Sequence, residues 1–160
     1  MNSPFPFNFI HLPNRSQKPR ESGLTMMLDK GLTLSEVRDL SEMASGFIDW
    51  AKLGWGTSRI LSRKFIQAKI ELYQSCDISV SPGGTFLEIA VAQKLEDAFL
   101  KEAREMGFDC LEVSDGMVPL KERKLDLIKR AKDMGYIVVS EVGRKAVSYT
   151  HLTLPTICSV

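Results

Sequence analysis

A chain of 160 residues, 26% charged and 44% apolar with a formal net charge of +1, has the balance of an ordinary globular protein and no basic excess to suit nucleic acid. No apolar run approaches the ~20 residues that a membrane-crossing helix needs. Cys76, Cys110 and Cys158 show no CxxC spacing, so a reducing compartment, by default the cytoplasm, is expected, with the thiols as packing residues rather than nucleophiles.

In chain order, residues 1–22 read as an irregular leader. Pro4, Pro6, Pro13 and Pro19 interrupt it, and it lacks the continuous apolar core of a secretory signal. Its Phe5, Phe7, Phe9 and Ile10 could cover one end of a sheet; a disordered leader is the alternative. Residues 24–28 are the first predicted strand. Leu34, Val37, Leu40 and Met43 follow at helical spacing, with Thr33 or Ser35 as N-cap and Gly46 after the helix. Residues 47–53 form the second strand, and Phe65, Ile66, Lys69, Ile70, Leu72 and Tyr73 lie on a helix ending near Ser75. The third strand, 78–81, stops at Pro82, which cannot donate a ladder hydrogen bond. Helices over about 86–91 and 95–106, a strand over 110–114, an amphipathic helix over 121–134 and a strand over 136–140 complete the series. Gly107 and Gly135 each stand between a helix and a strand, where a left-handed C-cap fits.

Each strand ends in a cluster of charged residues and glycines: MMLDKG (26–31), AKLGWGT (51–57), SVSPGGT (79–85), EVSDG (112–116) and SEVGRK (140–145). The repeat of strand, polar stop and helix is the rhythm of βα units and implies a parallel sheet, whose ligands bind at the carboxyl ends of the strands. An open doubly wound sheet and an eight-fold barrel both fit that rhythm. No GxGxxG follows the first strand and no P-loop occurs, so the barrel is favoured. A complete barrel takes ~250 residues, so the expected fold class is α/β, a partial TIM (β/α)8 barrel with about five βα units present and about three missing.

From Val147 the chain reads VSYTHLTLPT, which looks like translated transposase-adapter DNA. Residues 147–160 are therefore expected to be a non-native tail, and residues 23–146 the incomplete barrel domain. Setting the tail aside leaves His11 as the remaining imidazole, which weighs against a zinc site or a histidine-based triad. His11 itself is expected to be a solvent-facing loop residue. Trp55, between Gly54 and Gly56, reads first as packing at the mouth of the sheet and second as part of a pocket. The charges at 121–124 and the Lys129–Arg130 pair read as the solvated face of a helix.

The segments GLTMMLDKGL (23–32), IDWAKLGWGTS (48–58), SPGGTFLEIA (81–90), GFDCLEVSDG (107–116) and SEVGRK (140–145) together resemble the phosphosulfolactate synthase family, in order and at matching spacing. The resemblance spans about residues 5–145. It implies a (β/α)8 barrel that adds sulfite to phosphoenolpyruvate with Mg2+, giving phosphosulfolactate. A plant heat-stress-associated protein of the same broader family resembles the chain less, because DKG, GWGTS and PGGT stand intact here.

Both substrates are anions, so a site joining them must place cations where the charges meet. The resemblance implies Lys145 as first choice for the general acid, with Lys52 second and Lys30 a third strand-end lysine. Arg144 stands where the family's motif has a lysine. It suits phosphate or carboxylate binding and cannot give up a proton in that role. Glu112 and Glu141 are the expected magnesium ligands, with Asp115 and Asp29 as runners-up. Gly83, Gly84 and Thr85 open a helix whose N–H groups could meet an anion, and Ser114 shares the strand face of Cys110 and Glu112. Without the resemblance, Asp29 and Asp115 are equally well explained as turn residues before Gly31 and Gly116, and Lys30 as surface charge.

Two other readings stay open: a non-catalytic stress-associated homologue on the same fold, and another phosphate-handling barrel enzyme. The expected partners are phosphoenolpyruvate and sulfite, with no nucleic acid and no membrane; a homo-oligomer is left open. Five strands would leave two unpaired edges, so the chain alone is expected to be unstable or self-associating, and inactive.

Overall fold

The structure, a computed structural model, describes residues 6–54, 56–120 and 123–141. Strands and helices alternate along it: β1 Met26–Asp29, α1 Leu34–Ala44, a 3-10 turn at Ser45–Phe47, β2 Trp50–Leu53, α2 Thr57–Ile60, α3 Arg63–Gln74, β3 Ser79–Ser81, α4 Gly84–Ala92, α5 Glu96–Met106, β4 Cys110–Val113, α6 Arg123–Asp133 and β5 Ile137–Ser140. The architecture is mixed α/β with parallel strands. The second strand starts three residues later than the apolar pattern suggests because the 3-10 turn takes up 45–47. The one-turn α2 has too few residues to show a helical period.

Local chemistry sets the boundaries. Thr33 caps α1 in a reciprocal box: its hydroxyl accepts from the Glu36 N–H, and the Glu36 carboxylate accepts from the Thr33 N–H at 2.7 Å. Ser62 caps α3 in the same sense through the Phe65 N–H. Gly107 ends α5 at φ +99°, the left-handed position where glycine carries no side-chain penalty.

β1 pairs with β2 and β2 with β3, while β4 pairs with β5, all parallel. No ladder joins β3 to β4. Instead the Asp109 carboxylate, just before β4, accepts the N–H of Val80 in β3 at 2.7 Å, a side chain standing in for a missing backbone partner. Chain order and spatial order therefore agree from β1 to β5.

Alternation along the strands sorts the two faces. Ala51, Leu53, Val80, Leu111 and Val113 point into one continuous core with Val37 of α1, Ile66 and Ile70 of α3, Leu87 of α4, Leu100 of α5 and Leu127 of α6. The opposite face carries Met26, Leu28, Lys52, Ser81 and Glu112. On it Met26 and Leu28 stay 43% and 40% exposed. No helix of the described residues is long and apolar enough to cross a membrane.

The leader is held by cations rather than by its aromatic residues. Phe7, Phe9 and Ile10 are exposed and cover nothing, which corrects the expectation drawn from their apolarity; Phe5 lies outside the described residues. Instead Arg20 pairs with Asp49 at 2.7 Å and donates to the Gly46 carbonyl. Arg15 reaches the Phe47 carbonyl at 3.0 Å, and the Lys18 ammonium reaches those of Ser45 and Cys76. His11 is exposed, as the sequence suggests.

Candidate functional site

Lys52 is the third residue of β2 and Glu112 the third of β4. Both project from the face opposite the helices, near the carboxyl ends of their strands. The Lys52 ammonium lies 2.9 Å from Glu112 Oε1 and 2.7 Å from Oε2, so it straddles the carboxylate. The β2–β3 register puts Ser81 beside Lys52, and the lysine crosses β3 at that point to reach β4.

Gly83 and Gly84 lie against this pair, and their lack of side chains is what admits it. A Cβ on Gly84 would fall 2.5 Å from Glu112 Oε1 and 2.5 Å from Ser114 Oγ, and one on Gly83, at φ +87°, would meet the Leu53 carbonyl at 3.2 Å. The Gly84 N–H, at the start of α4, donates to Glu112 Oε1 at 3.3 Å. The carboxylate thus occupies the helix N-terminus, where partial positive charge favours an anion.

Behind the pair stands Glu88, fully buried on α4. It accepts the Ser114 hydroxyl and the N–H groups of Gly116, Met117 and Val118, the last two at 2.6 and 2.7 Å. Burial pushes its carboxyl pKa up, but the hydrogen bonds from Ser114 and the three amides outweigh that and hold it below the usual glutamate range. Glu88 fixes the loop after β4 and, through Ser114, the floor beside Glu112. Glu88 is not among the residues expected at the site, although a lone carboxylate inside the apolar stretch TFLEIAVA (85–92) is a readable signal that something buried must pair with it.

The remaining predicted residues are dispersed. Asp29 lies in register with Leu53 and so faces the helices. It is fully buried; its Oδ2 accepts from Lys69 at 2.9 Å and Tyr73 at 3.0 Å, and its Oδ1 from the N–H groups of Gly31 and Leu32. The structure does not bring it to Lys52 and Glu112. Burial, then the Asp29 charge, raises the Tyr73 phenol above its ordinary value. Lys30 is exposed in the turn after β1. Asp115 pairs with Lys124 at 3.0 Å, and the same ammonium donates to the Glu141 carbonyl. Glu141 follows β5 directly and donates its N–H to the Val113 carbonyl at 3.1 Å, which sets it beside Ser114 at the end of β4. Thr85 is partly buried in the first turn of α4. Arg144, Lys145, Trp55 and the tail from Val147 lie outside the described residues. The Cys110 thiol is pushed up to about 12, by burial first and then by the charges of Asp109 and Glu112, so it is no nucleophile at neutral pH.

For a divalent cation the hard-oxygen groups at the strand ends are the Glu112 carboxylate and the Ser114 hydroxyl, which meet against Gly84. Among the described residues no three acidic, histidine or cysteine side chains converge. Magnesium needs only one or two carboxylates, with water and ligand oxygens filling the rest; Glu112 is a carboxylate of the right chemistry, with both oxygens against the Lys52 ammonium in this structure. A cleft of about 350 Å³ lined by Arg59, Arg63, Phe86, Phe99 and Met106 lies among the helices; it reaches Pro82 after β3 but is not lined by Lys52, Glu112 or Ser114.

Consecutive βα units with parallel strands, and a lysine, a carboxylate and a glycine-opened helix gathered at the strand ends, define an α/β protein of the βα-repeat class with a charged strand-end site. The model of the (2R)-phospho-3-sulfolactate synthase (ComA) family matches residues 13–157, and the chain belongs to that family. It is 44% identical to the phosphosulfolactate synthase of Methanothermobacter thermautotrophicus over 87% of this chain and 54% of that protein. It is also 44% identical to that of Methanocaldococcus jannaschii over 78% and 50%, and 35% identical to that of Bacillus subtilis over 85% and 53%. The chain spans about half the length of these curated relatives.

Proposed function

We propose that this chain carries about five βα units of a (β/α)8 barrel, with about three missing, and that the whole protein adds sulfite to phosphoenolpyruvate in a magnesium-dependent reaction giving (2R)-phospho-3-sulfolactate. Strands that neighbour one another in chain order without reversal, with the helices packed on one face, support the barrel. The observation that carries the catalytic reading is the Lys52–Glu112 pair against Gly84 at the strand ends, in a chain of this family. The free thiols of Cys76 and Cys110 suit a reducing, cytoplasmic setting.

In this reading the sulfur lone pair of sulfite attacks the methylene carbon of phosphoenolpyruvate. A carbon–sulfur bond forms, the π electrons move to C2 and its carboxylate, and a proton delivered to C2 completes the addition. Lys52 holds one anionic group against the charge that develops. Glu112 and Glu141 are the proposed ligands of the magnesium, which would supply Lewis-acid stabilisation of that charge. Lys145 is the proposed proton donor and Arg144 a binder of phosphate or carboxylate.

The test is loss of phosphoenolpyruvate by a full-length barrel containing this segment, with sulfite and magnesium each supplied or withheld. Consumption that needs both supports the reading; consumption without sulfite, or none under any condition, sinks it.

A further inference from the structure

Ser81 ends β3 at the point where Lys52 crosses that strand to reach Glu112. Its side chain is fully buried, and its Oγ has no hydrogen-bond partner among the described residues. A hydroxyl buried without a partner is destabilising, and alanine would fill nearly the same space without that cost. The Lys52 ammonium and the Gly84 N–H both point at Glu112, and the missing side chains of Gly83 and Gly84 let Lys52, Glu112 and Ser114 close up against the start of α4.

We propose that Ser81 is a ligand-binding residue of this cluster: its hydroxyl donates to an oxygen of the small anion that Lys52 holds, a phosphate or carboxylate group. The inference rests on the anion-binding reading of the Lys52 site and adds to it a residue that recognises the ligand by hydrogen bonding alone. The position explains the choice of side chain. A larger residue here would obstruct the lysine on its way to Glu112, and an apolar small one would leave the ligand oxygen without the hydroxyl donor.

A full-length barrel containing this segment is titrated with phosphoenolpyruvate, and in parallel with inorganic phosphate, by amide chemical shifts in the wild type, Ser81→Ala and Lys52→Met, with Tm measured for each. The expected result is that Ser81→Ala weakens phosphoenolpyruvate binding by about tenfold or more, as loss of a hydrogen bond to a charged group does. Its Tm stays the same or rises, because no protein hydrogen bond is lost. A matching loss for inorganic phosphate assigns the contact to the phosphate; a loss confined to phosphoenolpyruvate assigns it to the carboxylate. Unchanged binding in Ser81→Ala with weakened binding in Lys52→Met overturns the role of Ser81 and leaves the site standing. Unchanged binding in both overturns the site as well. A fall in Tm that accompanies the loss shows a structural hydroxyl and overturns the inference, as does a wild type that binds neither anion.

Discussion

Lys52 and Glu112 stand 60 residues apart in the chain and on strands separated by β3, yet the ammonium contacts both carboxylate oxygens, at 2.9 and 2.7 Å. The lysine retains some solvent contact and the glutamate almost none, with side-chain exposures of 17% and 4%. Removing the lysine would leave Glu112 charged and buried, with the Gly84 N–H as its remaining donor among the described residues. Lys52→Met should therefore cost about 3 kcal/mol of stability, the low end for breaking a buried pair, read from the urea midpoint. The double variant Lys52→Met with Glu112→Gln should recover part of that. In a full-length barrel containing this segment, Lys52→Met should lower kcat/KM for the proposed reaction about 10²–10³-fold, the range for losing one charge-stabilising donor. Turnover equal to wild type would remove Lys52 from the site.

Gly84 is a packing constraint as much as a helix start. An alanine Cβ would sit 2.5 Å from Glu112 Oε1 and from Ser114 Oγ, closer than such atoms approach. Glu112 would have to swing off Lys52 or α4 shift from β4. Gly84→Ala should lose about 1–3 kcal/mol by overpacking, despite alanine's better helix propensity. A gain in Tm would show that the helix start has room to move.

The strand ends could be read directly because each apolar run stops at a polar cluster, and the caps at Thr33 and Gly107 because their chemistry is local. What the sequence hides is direction. Whether Asp29 faces the substrate side or the helices depends on its register with Leu53, a non-local fact that a DKG turn does not encode. Lys69 and Tyr73, one helical turn apart on α3, look like parts of an amphipathic helix until Asp29 is placed beneath them. Glu88 was legible in principle, because a lone acid in an apolar helix must find buried donors; which loop supplies them was not.

Asp29 and Lys69, 0% and 1% exposed, form a buried ion pair with Tyr73 as third member. The Lys69 ammonium also lies 5.3 Å from the centre of the Phe65 ring. Lys69→Met leaves a buried carboxylate with neutral donors only and should cost about 3–5 kcal/mol. Replacing Asp29 as well should recover only part of this, because Asp29 also holds the Gly31 and Leu32 amides of the turn. Complete recovery in chemical denaturation would mean that the turn does not need the carboxylate.

Glu88 makes the loop after β4 dependent on one carboxylate. Glu88→Gln keeps the shape but loses the charge, and its NH₂ group cannot accept the hydrogen bonds that the second oxygen took. Amide exchange at Met117 and Val118 should then speed up about tenfold or more, for the loss of charge-assisted bonds, while exchange in α3 stays unchanged. Uniform acceleration across the chain would instead indicate global destabilisation.

Asp49 ties the leader to the first βα unit and should govern acid stability there. Burial pushes its carboxyl pKa up, but the Thr25 N–H, the Arg20 hydrogen bond and the charges of Arg20 and Arg15 outweigh this and leave it below the ordinary value. A folded pKa below the unfolded one, near 3.9, means that the folded state binds fewer protons across the interval between them. The stabilisation is therefore complete above the unfolded pKa and is lost as pH falls through the folded one. Asp49→Asn should lower Tm at neutral pH and flatten the fall of Tm with acidification below about pH 4. Parallel Tm curves for wild type and variant across that interval would place the acid sensitivity in other carboxylates, with Glu88, whose pKa is also held low, the next to replace.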